Sequence, residues 1–509
     1  MTRTRSSTPL AVALILLLCG QLFAAEPADI AREARTWRTA HEREILEEFS
    51  GLLAIPNLAS DRPNIERNAN AIRALCAKRG LTTQLLTLEG APPIVVADFP
   101  VPGAATRTVA IYAHYDGQPV DPARWKSDPW KPVMRDAAGH DVDWRAATSI
   151  DPEWRLYARS AGDDKAPIIA ALAALDALRA SEAKPSVHWR FVFEGEEEAG
   201  SPHLAQYLEK YPKELRPDAW ILCDGPVHQS RRMELFFGAR GTIDLELTVY
   251  GPSKGLHDGH YGNWAPNPIV RLTHLLDSMR DENGRISIKG FYDEVKPPTA
   301  AEGAAITKIP DVETDLRGEF QIGSVEGEGK HLNELLLLPA LNVRGIESGH
   351  VGEKASNTIQ TEARASIDFR LVPNETPEST KLLVERHLAA QGYTIVRETP
   401  DAAARAQHPK IVRANWGAGY PPARTSLDLP LSREVAALMT AAGHDPVRLP
   451  TIGGSIPMYL FQQPDDTPVI GLPIANHDDN QHAADENLRL QNLWDGIEVY
   501  AALFAGLGR

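Results

Sequence analysis

The chain has 509 residues, of which 43% are hydrophobic and 24% are charged. These fractions are ordinary for a globular protein and exclude a disordered, collagen-like or coiled-coil chain. At roughly 150 residues per domain, the length predicts about two to four domains. Acidic residues outnumber basic ones by 68 to 53, and the net charge is −15. This charge argues against a nucleic-acid-binding protein, which needs a basic surface.

Residues 1–25 are predicted to be a secretory signal peptide. Two arginines precede the apolar run 10–18, which is too short to span a bilayer with room to spare, and the small residues Ala24 and Ala25 follow. A retained membrane anchor is the alternative. Lipoprotein anchoring at Cys19 is disfavoured, because a leucine stands before it. The sequence therefore predicts a periplasmic or secreted protein with no stable membrane insertion after cleavage.

Only two cysteines, Cys76 and Cys223, follow the predicted signal peptide. Two cysteines in a chain of this length are not a disulfide framework. Cys223 ends an apolar stretch, so we interpret it as a buried small hydrophobic residue, with a disulfide bridge as the alternative.

Strand and helix patterns alternate in the first part of the mature chain. Apolar residues recur at helical spacing in some segments and form short continuous runs in others. The predicted helices cover residues 41–54, 67–80 and 166–180, and the predicted strands cover 109–113, 187–193 and 219–223. This alternation indicates an α/β fold with a mostly parallel central sheet flanked by helices.

The pattern changes in the middle of the chain and later returns. Residues 242–250 and 363–372 alternate with period two, as antiparallel strands with one solvated face do. Helices are predicted at 268–280 and 375–390, and long loops at 290–330. An α/β pattern resumes with a helix at 431–442, an apolar run at 469–472 and a helix at 490–507. We predict a catalytic domain in two parts, 26–237 and 424–509, and an inserted α+β lid and dimerisation domain at 238–423.

Acids and histidines follow the predicted strands, where ligand sites of open α/β sheets lie. Each motif has an ordinary alternative: a lone histidine is commonly structural, Asp164 suits a helix N-cap, and the acidic run 194–198 could be solvated surface. Glu196 in particular is interpreted as a solvated neighbour. Together, however, one histidine, two aspartates, a glutamate and a later histidine form a mixed nitrogen and oxygen donor set. Such a set suits zinc, with cobalt or manganese as alternatives.

In their order along the chain, these motifs resemble the M20 family of co-catalytic zinc metallopeptidases. The resemblance covers about residues 40–505, and it is nearest to the carnosinase-type dipeptidase branch. The motifs that carry it are His114-x-Asp116, Ser160-Ala-Gly-Asp163-Asp164-Lys165, Glu194-Gly-Glu-Glu197-Glu198, Asp224, His257, Arg370, Gly453-Gly-Ser455 and His482.

The resemblance implies two zinc ions per subunit. Asp163 would bridge the two ions. His114 and Asp224 would complete one metal site, and Glu198 and His482 would complete the other. His477, five residues before His482, is the alternative ligand.

The resemblance also implies the catalytic and substrate-binding residues. Glu197 would be the general base, and Asp116 would orient the first histidine ligand. His257 would bind the substrate carbonyl oxygen, in this family often in the active site of the partner subunit of a homodimer. Arg370 and Ser455 would hold the substrate carboxylate. Arg370 could alternatively pair across strands with an acid on the wet face of the sheet.

These roles predict an exported dizinc hydrolase that cleaves dipeptides or small C-terminal peptides. An N-acyl-amino-acid deacylase with the same chemistry is the first alternative. A metal-free binding protein on the same scaffold is the second alternative. It would require the loss of a ligand or of the base, and the sequence retains all of them. A carnosinase-type lid histidine has no counterpart at residues 416–419, so the sequence leaves the choice of substrate open.

Overall fold

The computed structural model describes residues 26–101, 107–181, 183–185 and 187–508. The predicted signal peptide, residues 1–25, lies outside these ranges. Within them, no helix is both long enough and apolar enough to cross a membrane.

The described part of the chain forms strands throughout its length. They are β1 (Thr82–Leu86), β2 (Ile94–Phe99), β3 (Thr108–His114), β4 (Val133–Arg135), β5 (Arg155–Tyr157), β6 (His188–Glu194), β7 (Ala219–Leu222), β8 (Glu234–Phe236), β9 (Gly238–Ala239), β10 (Gly241–Tyr250), β11 (Leu256–His257), β12 (Ala340–Glu347), β13 (Thr358–Ile359), β14 (Glu362–Leu371), β15 (Thr394–Val396), β16 (Ile411–Tyr420), β17 (Ala423–Arg424), β18 (Val447–Leu449), β19 (Val469–Gly471) and β20 (Asn487–Arg489).

Helices connect and cover these strands. They are α1 (Pro27–Leu53), α2 (Arg62–Lys78), α3 (Lys165–Ala180), α4 (Leu204–Lys210), α5 (Pro212–Leu215), α6 (Asp258–Tyr261), α7 (Pro268–Met279), α8 (Ala300–Ile306), α9 (Glu313–Glu319), α10 (Leu332–Leu335), α11 (Pro377–Ala390), α12 (Ala402–Gln407), α13 (Pro430–Ala441), α14 (Met458–Gln462) and α15 (Leu490–Gly506).

An eight-stranded sheet forms the centre of the larger part of the molecule. Its strand order is β1-β2-β6-β3-β7-β19-β8-β18. The four adjacent strands β6, β3, β7 and β19 are mutually parallel, so their carboxyl ends meet at one edge. Antiparallel pairs flank this parallel block. The sheet is therefore mostly parallel where the predicted site residues follow the strands.

Helices cover both faces of this sheet. On one face, Ile111 and Phe191 pack with α1, α3 and α15 in a single buried cluster. On the other face, Tyr112 and Trp220 pack with residues of α4 and α14. Because side chains alternate across a strand, a strand buried on both faces is apolar throughout. The uninterrupted apolar runs in the sequence have this origin, and the predicted α/β class is confirmed.

A second, five-stranded sheet has the order β12-β14-β10-β16-β15. All its pairs are antiparallel except β15 with β16. Leu245 and Ile367 face α7 and α11 in a separate buried cluster, whereas Glu246 and Ser366 lie on the solvated face and bond to each other. One face is dry and one is wet, as the period-two alternation predicts.

The long loops predicted for residues 290–330 are partly wrong. This segment contains α8 and α9, and α8 begins with a capping box between Thr299 and Glu302. Ala305 joins the buried cluster of the eight-stranded sheet. The first predicted helix was also too short, because α1 begins at Pro27 and continues through a kink at His41. Short apolar stretches between charged residues gave too little periodicity to reveal these helices.

Cys76 and Cys223 are both buried and free. The interpretation of Cys223 as a small buried hydrophobic residue is therefore confirmed. Burial raises the pKa of the Cys76 thiol to about 12, which leaves it protonated and unreactive at neutral pH.

Candidate metal centre

The predicted metal ligands lie at one edge of the eight-stranded sheet. Most of them end or follow one of the four neighbouring parallel strands, and Asp163 precedes a helix. His114 is the last residue of β3, and Asp224 follows β7 by two residues. Glu197 and Glu198 lie in a short 3₁₀ helix, Glu197–Ala199, directly after β6. Asp163 stands just before α3, and His482 lies in the segment after β19. The carboxyl ends of these strands form the ligand-binding edge of an open α/β sheet.

Asp163 lies at the centre of the cluster. Its Oδ1 is 2.8 Å from His114 Nε2, and its Oδ2 is 3.1 Å from His482 Nε2. His482 Nε2 is also 3.1 Å from Glu198 Oε2. Each oxygen of one carboxylate thus contacts a different histidine, an arrangement suited to bridging two ions.

The donor atoms fall into two groups, each with its atoms within 4.8 Å of one another. One group contains His114, Glu197 and Asp224, and the other contains Asp163, Glu198 and His482. The expected pairs of ligands therefore lie together. The general base predicted from the resemblance, Glu197, lies beside the first pair.

His477 belongs to neither group. It is exposed, and it lines the cavity beside the cluster. The structure therefore favours His482 over His477 as the ligand.

The electrostatics of the cluster fit divalent cations. Burial, with the nearby Asp163 carboxylate as the next cause, raises the pKa of Asp224 to about 7. Burial also raises the pKa of Glu197 well above its usual range, with Asp224 as the next cause. Buried carboxylates this close repel one another unless positive charge lies among them. Imidazole and carboxylate donors are the ligands that zinc accepts, so the residues fit the implied metal.

Asp116 is buried beside the cluster, and its carboxylate contacts three of the cluster residues. Its Oδ1 accepts a hydrogen bond from the backbone N–H of Glu197 at 3.1 Å, and its Oδ2 accepts one from Glu198 at 3.0 Å. Its Oδ1 also lies 3.4 Å from His114 Nδ1. One carboxylate thus orients a histidine ligand and fixes the loop that carries both glutamates.

Glu486, four residues after His482, was given no role from the sequence, and the structure gives it one. Its side chain is fully buried and accepts hydrogen bonds from the backbone N–H groups of Ser160, Gly162 and Asp163. Arg159 Nη1 donates to it at 2.7 Å. Glu486 therefore fixes the loop that presents Asp163. The sequence signal that could have revealed this role was the position of Glu486, four residues after His482.

Two glutamines also contact the cluster and were missed. Gln481 Nε2 donates to Asp163 Oδ2, and Gln118 Nε2 donates to Glu198 Oε2. Amide donors of this kind orient carboxylate ligands. Nothing in the spacing of these glutamines distinguished them from ordinary polar loop residues.

The acids that had ordinary alternatives behave differently from one another. Asp164 occupies the N-cap position of α3 without a side-chain cap bond, and its Oδ2 accepts a hydrogen bond from the His114 backbone N–H instead. The prediction that Glu196 is a solvated neighbour is wrong. Glu196 is buried, and its carboxylate lies 2.9 Å from His203 Nδ1. Burial next to a strand end made a partner necessary.

Arg370 joins the second sheet to Ser455, which lines the cavity beside the metal cluster. Arg370, on β14, donates from Nη1 to Ser455 Oγ at 2.7 Å. It also donates from Nε to Asp368 Oδ2, an acid on the same strand and not across it. Tyr420, at the end of β16, was missed by the sequence analysis. Burial raises the pKa of its hydroxyl, the Ser455 hydrogen bond and the Arg370 charge lower it, and the Glu197 charge raises it. The second sheet therefore approaches the metal cluster through these side chains.

His257 is not brought to the cluster. Its side chain is 57% exposed, and its Nδ1 accepts a hydrogen bond from the Gly259 backbone N–H. Its ring lies 4.8 Å from that of His260. Within the described ranges it contacts none of the six candidate ligands.

A cavity of about 920 Å³ opens beside the cluster. Asp163, Glu197, Asp224 and His482 lie at one end of its wall. The remaining wall comes from β8, the loop around Ser455 and the segment 306–336. The cavity gives the metal cluster space for a small organic substrate.

The sequence matches the model of peptidase family M20/M25/M40 over residues 110–505. It is 25% identical over 475 residues to Cys-Gly metallodipeptidase dug1 of Schizosaccharomyces pombe, covering 90% of this chain and 94% of that one. It is 27% identical over 425 residues to human Beta-Ala-His dipeptidase, covering 81% and 77% respectively.

Among solved structures, the fold is similar to that of the M20 family metallo-carboxypeptidase Sso-CP2 from Sulfolobus solfataricus. The TM-score is 0.71 at 27% identity, with 91% of this chain and 99% of the other covered. Human carnosine dipeptidase 1 aligns with a TM-score of 0.68 at 23% identity, over 95% and 99% of the two chains. The chain belongs to peptidase family M20/M25/M40 and is a metallopeptidase, as the motifs predicted.

Proposed function

We propose that this metallopeptidase is an exported dipeptidase that uses two zinc ions per subunit and Glu197 as general base. The observation that carries the proposal is the position of Asp163, which contacts His114 with one oxygen and His482 with the other. The similarity to two enzymes named as dipeptidases supports a dipeptide substrate.

In this proposal, His114 and Asp224 would hold one metal, Glu198 and His482 would hold the other, and Asp163 would be shared between the two sites. Bound zinc ions would polarise the scissile carbonyl and lower the pKa of a water molecule towards about 7. The protein residues then have to hold the ligands in place, accept a proton and position the peptide.

Glu197 performs the proton transfers. Its Oε2 lies 4.0 Å from His114 Nε2, beside the first ligand pair. The Glu197 carboxylate accepts a proton from the attacking water and then donates it to the leaving amine nitrogen. Its backbone N–H is bonded to Asp116, so the side chain starts from a fixed position.

Substrate positioning falls to residues on the second sheet. The Arg370 guanidinium, turned towards Ser455 by their hydrogen bond, would bind the free carboxylate of the peptide, because its planar fork matches a carboxylate. His257, which is exposed and remote from the cluster of its own chain, would bind the carbonyl oxygen in the site of a partner subunit. This role requires a homodimer. Export to the periplasm or beyond would follow from the signal peptide at residues 1–25.

The test is a mass-spectrometric assay of the zinc-loaded mature protein with a pool of dipeptides, longer peptides and N-acyl amino acids. Glu197→Gln is the parallel control. Release of amino acids from dipeptides by the wild type alone supports the proposal. Cleavage of N-acyl amino acids in place of dipeptides would indicate a deacylase, and no cleavage with both metals bound would contradict a peptidase role for this pool.

A further inference from the structure

Glu234 has no role in the proposed chemistry and yet lies in the wall of the active-site cavity. It is the first residue of β8, in the interior of the eight-stranded sheet between β19 and β18. Only 6% of its surface is exposed. Along β8, Leu235 points into one core cluster, while Glu234 and Phe236 both line the cavity.

The Glu234 carboxylate makes no hydrogen bond and no ion pair with any residue that the structure describes. The cavity wall also contains the apolar residues Phe236, Leu449 and Ile309, and burial is the one cause that acts on the pKa of Glu234. An unpaired carboxylate in such surroundings carries a large desolvation cost. Burial alone raises the pKa of Glu234 to about 8. A cation placed beside it would offset both effects.

Acidic side chains predominate in the cavity. Its described lining contains eight carboxylates and four histidines, and neither lysine nor arginine. Asp163, Glu197 and Asp224 belong to the metal centre. Glu313 and Glu334 are occupied by local bonds at the start of α10. Outside the metal centre, Glu234 is the acid in the described lining that combines deep burial with the lack of any partner.

From this geometry we infer that Glu234 is a specificity-determining residue that binds a cationic group of the substrate. The inference rests on the proposed peptidase function and names its substrate class: peptides with a basic side chain or a free α-amino group that reaches β8. An ammonium or guanidinium on the substrate would pair with the Glu234 carboxylate, while the apolar wall of the cavity packs against the methylene groups beside it.

The test compares three matched pairs of substrates by kcat/KM. Lysyl-alanine against norleucyl-alanine places the charge on the amino-terminal side chain. Alanyl-lysine against alanyl-norleucine places it on the carboxyl-terminal side chain. Alanyl-alanine against N-acetyl-alanyl-alanine tests the α-amino group. We expect the cationic member of at least one pair to be preferred by about 10- to 100-fold, the range of a hydrogen bond to a charged group.

Glu234→Gln keeps the shape of the side chain and removes its charge. In the pair that shows the preference, we expect this variant to bring the ratio of kcat/KM between the cationic and the neutral member close to one, because kcat/KM falls on the cationic member. Glu375→Gln is the matched control, because Glu375 is also a buried glutamate with a pKa raised to about 7 but lies outside the cavity lining. It should retain the preference.

The outcomes separate this inference from the proposed function. Hydrolysis of charged and neutral members at equal rates by the wild type would overturn the role of Glu234 and leave the peptidase intact, and it needs no variant. A preference that survives in Glu234→Gln would also overturn it. No hydrolysis of any pair by the metal-loaded wild type would contradict the proposed function itself. Metal content and thermal unfolding of each variant show whether it has folded.

Discussion

The regions around His114 and His257 differ in how many partners each histidine finds within its own chain. At the edge of the eight-stranded sheet, His114 is fully buried and contacts Asp163 and Asp116. On β11, which pairs with the distant β13, His257 is exposed, and its neighbours are residues of its own turn. In the first region the histidine is buried among the other candidate ligands, whereas in the second region the imidazole of His257 is exposed to solvent. If His257 acts in a partner subunit as proposed, the motif is complete in one chain, but the site needs a second chain.

The largest effect is expected at the metal cluster. Glu197→Gln should lower kcat by about 10²- to 10⁴-fold, the range of general acid–base catalysis, because an amide cannot accept the water proton. Metal content should stay near wild type. Steady-state kinetics and elemental analysis measure both. Glu196→Gln is the matched control, since the carboxylate of Glu196 binds His203 and not the cluster. Activity close to wild type in Glu197→Gln would remove it as the base.

The next effect concerns the choice between two nearby histidines. His482→Ala should weaken metal affinity by more than about 100-fold, since loss of a ligand should exceed the 10- to 100-fold loss typical of a supporting residue. His477→Ala should bind metal as the wild type does, because His477 lies outside both donor groups. Competition with a chromogenic chelator measures the affinities. The reverse result would exchange the two assignments.

A smaller loss is expected from the support beneath the cluster. Glu486→Gln exchanges one acceptor oxygen for an NH₂ group facing backbone donors, so the loop carrying Asp163 should loosen. We expect metal affinity to fall by about 10- to 100-fold and stability to fall by about 1–3 kcal/mol. Titration calorimetry and urea unfolding measure these changes. Asp485→Asn, at a neighbouring acid whose Oδ1 accepts only a surface N–H, should change neither.

The last prediction tests the role of His257. If His257 acts in the partner's site, His257→Ala and Glu197→Gln should each be inactive alone and complement each other when mixed and allowed to exchange subunits. Random pairing makes half of the dimers mixed, and each mixed dimer has one competent site, so activity should return to about a quarter of wild type. Assays before and after exchange measure this. No recovery between exchanging subunits would exclude a role for His257 in the site of the partner subunit.

Much of the fold was predictable because its signals are local. The apolar run of β3 and the alanine-rich α3 each encode their element within one short segment, and the structure places them within a residue or two of the predicted bounds. The short α9 and the glycine-bearing β16 have weaker periodicity, so neither was identified. The form of β16 depends on its pairing with β10, which is distant in sequence.

The sequence by itself determined the fold class, the family and the order of the candidate ligands, because strand-end motifs are contiguous and their spacing survives in one dimension. Only the tertiary structure decided which atoms meet. The contact of Arg159 with Glu486 joins residues 327 positions apart, and that of Arg370 with Ser455 spans 85. The isolation of the Glu234 carboxylate is a property of the cavity wall around it. Pairing, burial and the lack of a partner depend on distances between segments, and those distances exist only after the sheets have packed.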